Sequence, residues 1–185
     1  MTRRNIGIAI GLPQPIADEL QGWRVELGDP TALRIVPHVT LLPPTTIQSD
    51  QLPSVEEHLR KVAADSRPFT IRLRGTATFR PVSPVVFVPL VEGIAECELL
   101  AQQVRSGPLD RPLMHPYHPH VTVAQDVPDE SLDRGYAELA GFEARFGVWG
   151  LQMFEQGKDH VWRPQRDFPF RHATPGPQPR SSLNW

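Results

Sequence analysis

His38-Val-Thr-Leu41 and His120-Val-Thr-Val123 each set an imidazole two positions before a hydroxyl, with apolar residues between and after. In an extended chain, residues i and i+2 share a face. His38 and Thr40 therefore point one way, as do His120 and Thr122, while Val39, Leu41, Val121 and Val123 point the other. Imidazole has a reference pKa near ~6.5, so one ring of a pair can accept a proton while the other gives one. Hydroxyls can donate hydrogen bonds to charge developing on oxygen. Two such pairs around one point suit a phosphodiester, where attack and departure lie in line on opposite sides of phosphorus. The two rings are thus expected from opposing walls of a cleft.

Other residues could serve the same cleft. Tyr117 and His118 precede the second motif, and Arg34, Arg80 and Arg163 stand where a second phosphate or a terminal nucleotide could be held. Phe79, Trp149, Phe154 and Trp162 could stack a base, with core packing as the plainer role. His115, His118 and His120 lie close enough to raise a metal site, but no nearby Asp, Glu or Cys completes a ligand set. The expectation is a site without metal or cofactor.

The motifs need a scaffold, and the surrounding sequence supplies one. Both read as short strands, the first stopped by Pro43-Pro44. Upstream of the first, Ile6, Ile8 and Ile10 alternate with small residues as a strand, and Ile16, Leu20, Trp23 and Leu27 recur at helical spacing. Val55, Leu59 and Val62 mark a second helix, and Phe69 to Phe79 a third strand. The order then repeats: a strand from Val85 to Val91, a helix through Ile94, Cys97, Ala101 and Val104, the second motif, and a short helix with Leu132, Tyr136 and Leu139. Phe142 to Phe154 and His160 to Phe170 read as a closing pair of strands around Gly157. The motif histidines are 82 positions apart and the helix stripes 78, a near-constant offset that indicates a duplication. The expected fold is α+β: two lobes related by a pseudo-twofold, each an antiparallel sheet with helices outside, and a site between them. Residues 1–171 are expected to form one bilobal domain, and 172–185, rich in Pro, Gly and Ser, a disordered tail.

Composition narrows the classes. A net charge of −2 gives no basic stripe for general nucleic-acid binding, so phosphate recognition must be local. The lone Cys97 excludes an internal disulfide framework. No stretch approaches transmembrane length and no convincing signal segment opens the chain, so a cytoplasmic protein is expected; a monomer is the expectation for its assembly, which no sequence feature decides.

Pro37-His-Val-Thr-Leu-Leu-Pro-Pro44 and Tyr117-His-Pro-His-Val-Thr-Val-Ala124 resemble the two-histidine (2H) phosphoesterase superfamily, and within it the bacterial 2′-5′ RNA ligase family. The resemblance spans roughly residues 5–170. It implies a bilobal α+β fold and metal-free cleavage of 2′,3′-cyclic or related phosphodiesters. It also implies His38 and His120 as catalytic residues, Thr40 and Thr122 as phosphate-binding hydroxyls, and a nucleotide or RNA end as partner. Two alternatives use the same residues: 2′-5′ RNA ligation, the reverse reaction, and a sensor that binds nucleotide or RNA ends without turnover.

Overall fold

Alternating isoleucines build the first strand, and the structure, a computed structural model describing residues 2–171, buries all three of them. In chain order the elements are β1 (Arg3–Gly11), α1 (Ile16–Glu26), β2 (His38–Gln48), α2 (Leu52–Asp65), β3 (Phe69–Arg74), β4 (Ala77–Thr78) and β5 (Val85–Glu92). They continue as α3 (Ile94–Val104), β6 (His120–Gln125), α4 (Asp129–Glu138), β7 (Glu143–Val148), β8 (Gly150–Gln156) and β9 (Trp162–Pro169). The tail expected to be disordered lies outside the described residues.

Two antiparallel sheets carry the fold, and neither closes into a barrel. One runs β2-β1-β8-β9; the other runs β4-β5-β3-β7, with β6 also paired to β5. Leu20 of α1, Leu27 just past its end, Val55, Leu59 and Val62 of α2, and Cys97, Ala101 and Val104 of α3 are buried, as their spacing predicts, whereas Ile94 at the start of α3 is exposed. Tyr136 of α4 stays on the surface instead. Gly135 takes the inward position there, where a Cβ would come within 2.7 Å of Leu27. Among the described residues, no helix is long and apolar enough to cross a membrane.

The duplication reaches down to the register. In the first sheet, Gly11, Ile10 and Ala9 pair with His38, Val39 and Thr40, then Ile8 pairs with Leu42. In the second, Pro89, Val88 and Phe87 pair with His120, Val121 and Thr122, then Val86 pairs with Ala124. Each motif strand thus carries one extra residue, Leu41 or Val123, at the same place. A bulge of this kind breaks the alternation and bends the strand. Accordingly Leu41 and Leu42 are both buried, as are Val123 and Ala124.

Three expectations about strands are corrected. Phe69 to Phe79 is not one strand: it breaks after Arg74 into β3 and the short β4, and Phe79 lies beyond both. Pro43-Pro44 does not end β2, which runs on to Gln48. β2 is an edge strand, and both prolines sit opposite Gly7 in a second bulge, where no ladder N–H is required. The stretch from Phe142 to Phe154 is not one strand. It breaks at Trp149 into β7, which pairs with β3, and β8, which pairs with β1. The closing strand of the first repeat, β3, therefore crosses into the second sheet, and β8 returns to take the place beside β1. The helices cross as well: α1 packs against β6, and α3 against β2.

Candidate active site

Equivalent strands bring equivalent side chains to one place. His38 and Thr40 from β2, and His120 and Thr122 from β6, line a single cavity of about 400 Å³ between the two sheets. Pro37 and Pro119 lead into the two strands, and each histidine turns its ring back on its own approach. His38 Nδ1 lies 2.7 Å from the Val36 carbonyl, and His120 Nδ1 lies 2.7 Å from the His118 carbonyl. A carbonyl only accepts, so Nδ1 carries the hydrogen in both rings. When a ring is neutral, its Nε2 then holds the free lone pair. The Thr40 hydroxyl lies 3.1 Å from His38 Nε2 and can donate to it.

The walls around the two rings differ. Phe79 and Phe87 flank His120 with ring centroids 5.0 Å away. Arg24 lines the same cavity as His38. Burial, reinforced by the Arg24 and His120 charges, pushes the His38 pKa down from its ordinary value to about 4, against the opposing bond to Val36. Burial, with the neighbouring His118, also lowers the His120 pKa.

The remaining sequence candidates separate. Arg34 lines the cavity and enters no ion pair among the described residues. Tyr117 is half-buried against the core, and its hydroxyl donates to the Thr40 carbonyl at 2.8 Å. His118 is exposed and meets Phe79 and Phe87 edge-on at 5.8 and 5.5 Å. Arg80 is held by Asp133 and Asp129, and Arg163 by Asp159, so both guanidiniums are already paired. Of the four aromatics, Phe154 and Trp162 line the cavity. Phe79 packs on Phe87, and Trp149 lies half-exposed at the crossover between sheets.

Sequence reasoning missed Arg24, Asp29, Thr31, Gln125 and His160. Four of these, Arg24, Thr31, Gln125 and His160, line the cavity. Arg24 and Asp29 form a buried ion pair at 3.1 Å, with side chains 3% and 0% exposed. Arg24 also donates to the Ile35 carbonyl at 2.6 Å and to Thr31 Oγ1 at 2.9 Å. Among the described residues, no group of three or more His, Cys, Asp or Glu side chains is arranged to hold a metal ion.

Comparison with known proteins gives one consistent picture. The family model of the 2′-5′ RNA ligase superfamily matches residues 12–160. A proposed phosphoesterase of Oceanobacillus iheyensis is 32% identical over 164 residues, covering 88% of this chain and 95% of that protein. Another, from Bacillus cytotoxicus, is 31% identical over 165 residues, with the same coverage of 88% and 95%. Among solved structures, E. coli LigT complexed with 3′-AMP superposes with a TM-score of 0.70, at 19% identity, over 91% of this chain and 99% of that one. TT0787 of Thermus thermophilus superposes with a TM-score of 0.61, at 21% identity, over 90% and 98%.

Proposed function

This chain belongs to the 2′-5′ RNA ligase superfamily and is a phosphoesterase of the two-histidine class, and from that premise we propose that it hydrolyses 2′,3′-cyclic phosphates on nucleotides or RNA ends. His38 and His120 exchange the protons, and Thr40 and Thr122 hold the non-bridging oxygens. One observation carries the reading: two imidazole–hydroxyl pairs, on strands of identical register, open into one cavity.

Ring opening by water needs a base for the water and an acid for the departing ribose oxygen. Both rings keep Nδ1 on a backbone carbonyl, which turns both Nε2 atoms to proton transfer; the Thr40 hydroxyl beside His38 Nε2 turns its hydrogen to a phosphate oxygen when substrate binds, and that frees the lone pair. Two imidazoles complete the proton inventory, so the chemistry requires no bound metal. When the pair holds one proton, the ring with the stronger downward push stays neutral. His38 is then the base and His120 the acid. The cavity continues from the histidines to Trp162, His160 and Arg34, which offer a stacking face and a cation to the rest of a nucleotide. LigT has been crystallised with 3′-AMP, a nucleotide of related shape.

Turnover of 2′,3′-cyclic nucleotides and cyclic-ended oligonucleotides in EDTA tests the reading. His38→Ala and His120→Ala should each lower kcat by at least ~10²-fold. A diester with a p-nitrophenolate leaving group needs no acid, so His120→Ala should retain far more activity on it than His38→Ala. Near-wild-type hydrolysis of the cyclic substrate by either variant refutes the roles given.

A further inference from the structure

Two irregular segments lead into the motif strands: residues 29–37 before β2, and residues 110–119 before β6. Each is fastened to the motif strand of the other half. Thr31 in the first accepts a hydrogen bond from Gln125 Nε2, at the end of β6, at 2.9 Å. Tyr117 in the second donates to the Thr40 carbonyl of β2 at 2.8 Å. The two bonds cross between the halves in opposite senses, from residues that are not equivalent positions of the repeat.

Both are anchored behind. The Thr31 hydroxyl donates to Asp29 Oδ1 at 2.7 Å while accepting from Arg24 and Gln125, which uses all three of its bonding positions. Arg24 at the same time holds the Ile35 carbonyl, one residue before the Val36 carbonyl that fixes the His38 ring. On the other side, the Tyr117 ring lies on the core beneath the Arg105 guanidinium, 5.3 Å from its centroid. Burial raises the Tyr117 pKa, so its hydroxyl keeps the proton it donates.

We infer that the Thr31–Gln125 and Tyr117–Thr40 bonds are paired braces that set the spacing of the His38 and His120 rings. Thr31, Gln125 and Tyr117 are thus positioning residues. Tyr117 acts through the backbone of β2 and not by touching substrate. The inference rests on the two-histidine reading above. It adds that an enzyme whose acid and base come from different halves needs a device that holds the halves in step. Misplacement of reacting groups by about 1 Å can cost ~10²-fold in rate.

The test uses the full chain with Tyr117→Phe, Thr31→Val and Thr31→Ser. The readouts are kcat and KM on 2′,3′-cyclic AMP, calorimetric affinity for inorganic phosphate, and melting temperature. Tyr117→Phe and Thr31→Val should each lower kcat about tenfold, with KM within about twofold, and both should weaken phosphate binding. Thr31→Ser keeps the hydroxyl and should restore wild-type kcat. The double variant should lose less than the product of the single losses, because one broken brace already frees the spacing. Three results overturn the inference: unchanged kcat in both single variants; a Tyr117→Phe effect confined to KM, which would make Tyr117 a substrate contact; or Thr31→Ser falling as far as Thr31→Val. If His38→Ala retains full turnover, the functional reading fails instead. Phosphate affinity then tests the braces by itself: weakening by Tyr117→Phe and Thr31→Val supports them, and unchanged affinity overturns them.

Discussion

His38 faces the cleft with a pKa pushed down to about 4 by burial, and His120 is pushed below its usual value as well. The free enzyme therefore has one proton on the pair only at acid pH. The profile of kcat/KM, which reports the free enzyme, should be bell-shaped with its maximum below pH 6.5 and its acid limb near pH 4. A maximum above pH 7 would contradict the environments described. The same shift makes a stability statement. Between about pH 6.5 and pH 4 the unfolded chain protonates this histidine while the folded chain resists, so unfolding takes up a proton and stability falls as pH drops through that window. His38→Gln should flatten that part of a plot of melting temperature against pH. The histidine–threonine pairs were legible in the sequence because strand alternation is local: types two apart share a face whatever the rest of the fold does. Arg24 was not. It sits in an amphipathic helix among polar residues, and only the packing of α1 against β6 decides that this arginine points inward.

Among elements, the lead-in to β2 depends on one buried ion pair. Removing one partner leaves the other charged and uncompensated, which costs roughly 3–5 kcal/mol. Arg24→Met should therefore lower unfolding free energy by about that amount in urea titration, and adding Asp29→Leu should recover much of it. Equal stability for Arg24→Met and wild type would show that Asp29 finds another partner. The helix stripes and most strand positions followed from periodicity, since a buried face imposes its period on the sequence. The run of β2 through Pro43-Pro44 did not follow, because a proline's tolerance depends on whether its strand lies at an edge and where a bulge falls. The matching bulges at Leu41 and Val123 were hidden for the same reason: a bulge is defined by the partner strand.

At the scale of the molecule, the repeat was visible as a constant offset, but the exchange of strands was not. Pairing partners lie far apart in sequence, and nothing local to β3 or β8 specifies which sheet each joins. The exchange makes the two halves interdependent: the first sheet takes β1 and β2 from one repeat and β8 and β9 from beyond the other. Thermal unfolding should be a single transition, with far- and near-ultraviolet circular dichroism coincident. Two separated transitions would mean that the sheets fold alone. The turn around Val82, itself 78% exposed, joins the repeats. A protease that clips there would yield fragments that each hold strands of both sheets. The nicked protein should therefore elute from a sizing column as one particle, separate into two bands only in denaturant, and regain its shape when the two fragments are mixed and refolded. A gene split at that turn offers a complementation pair whose signal depends on both pieces.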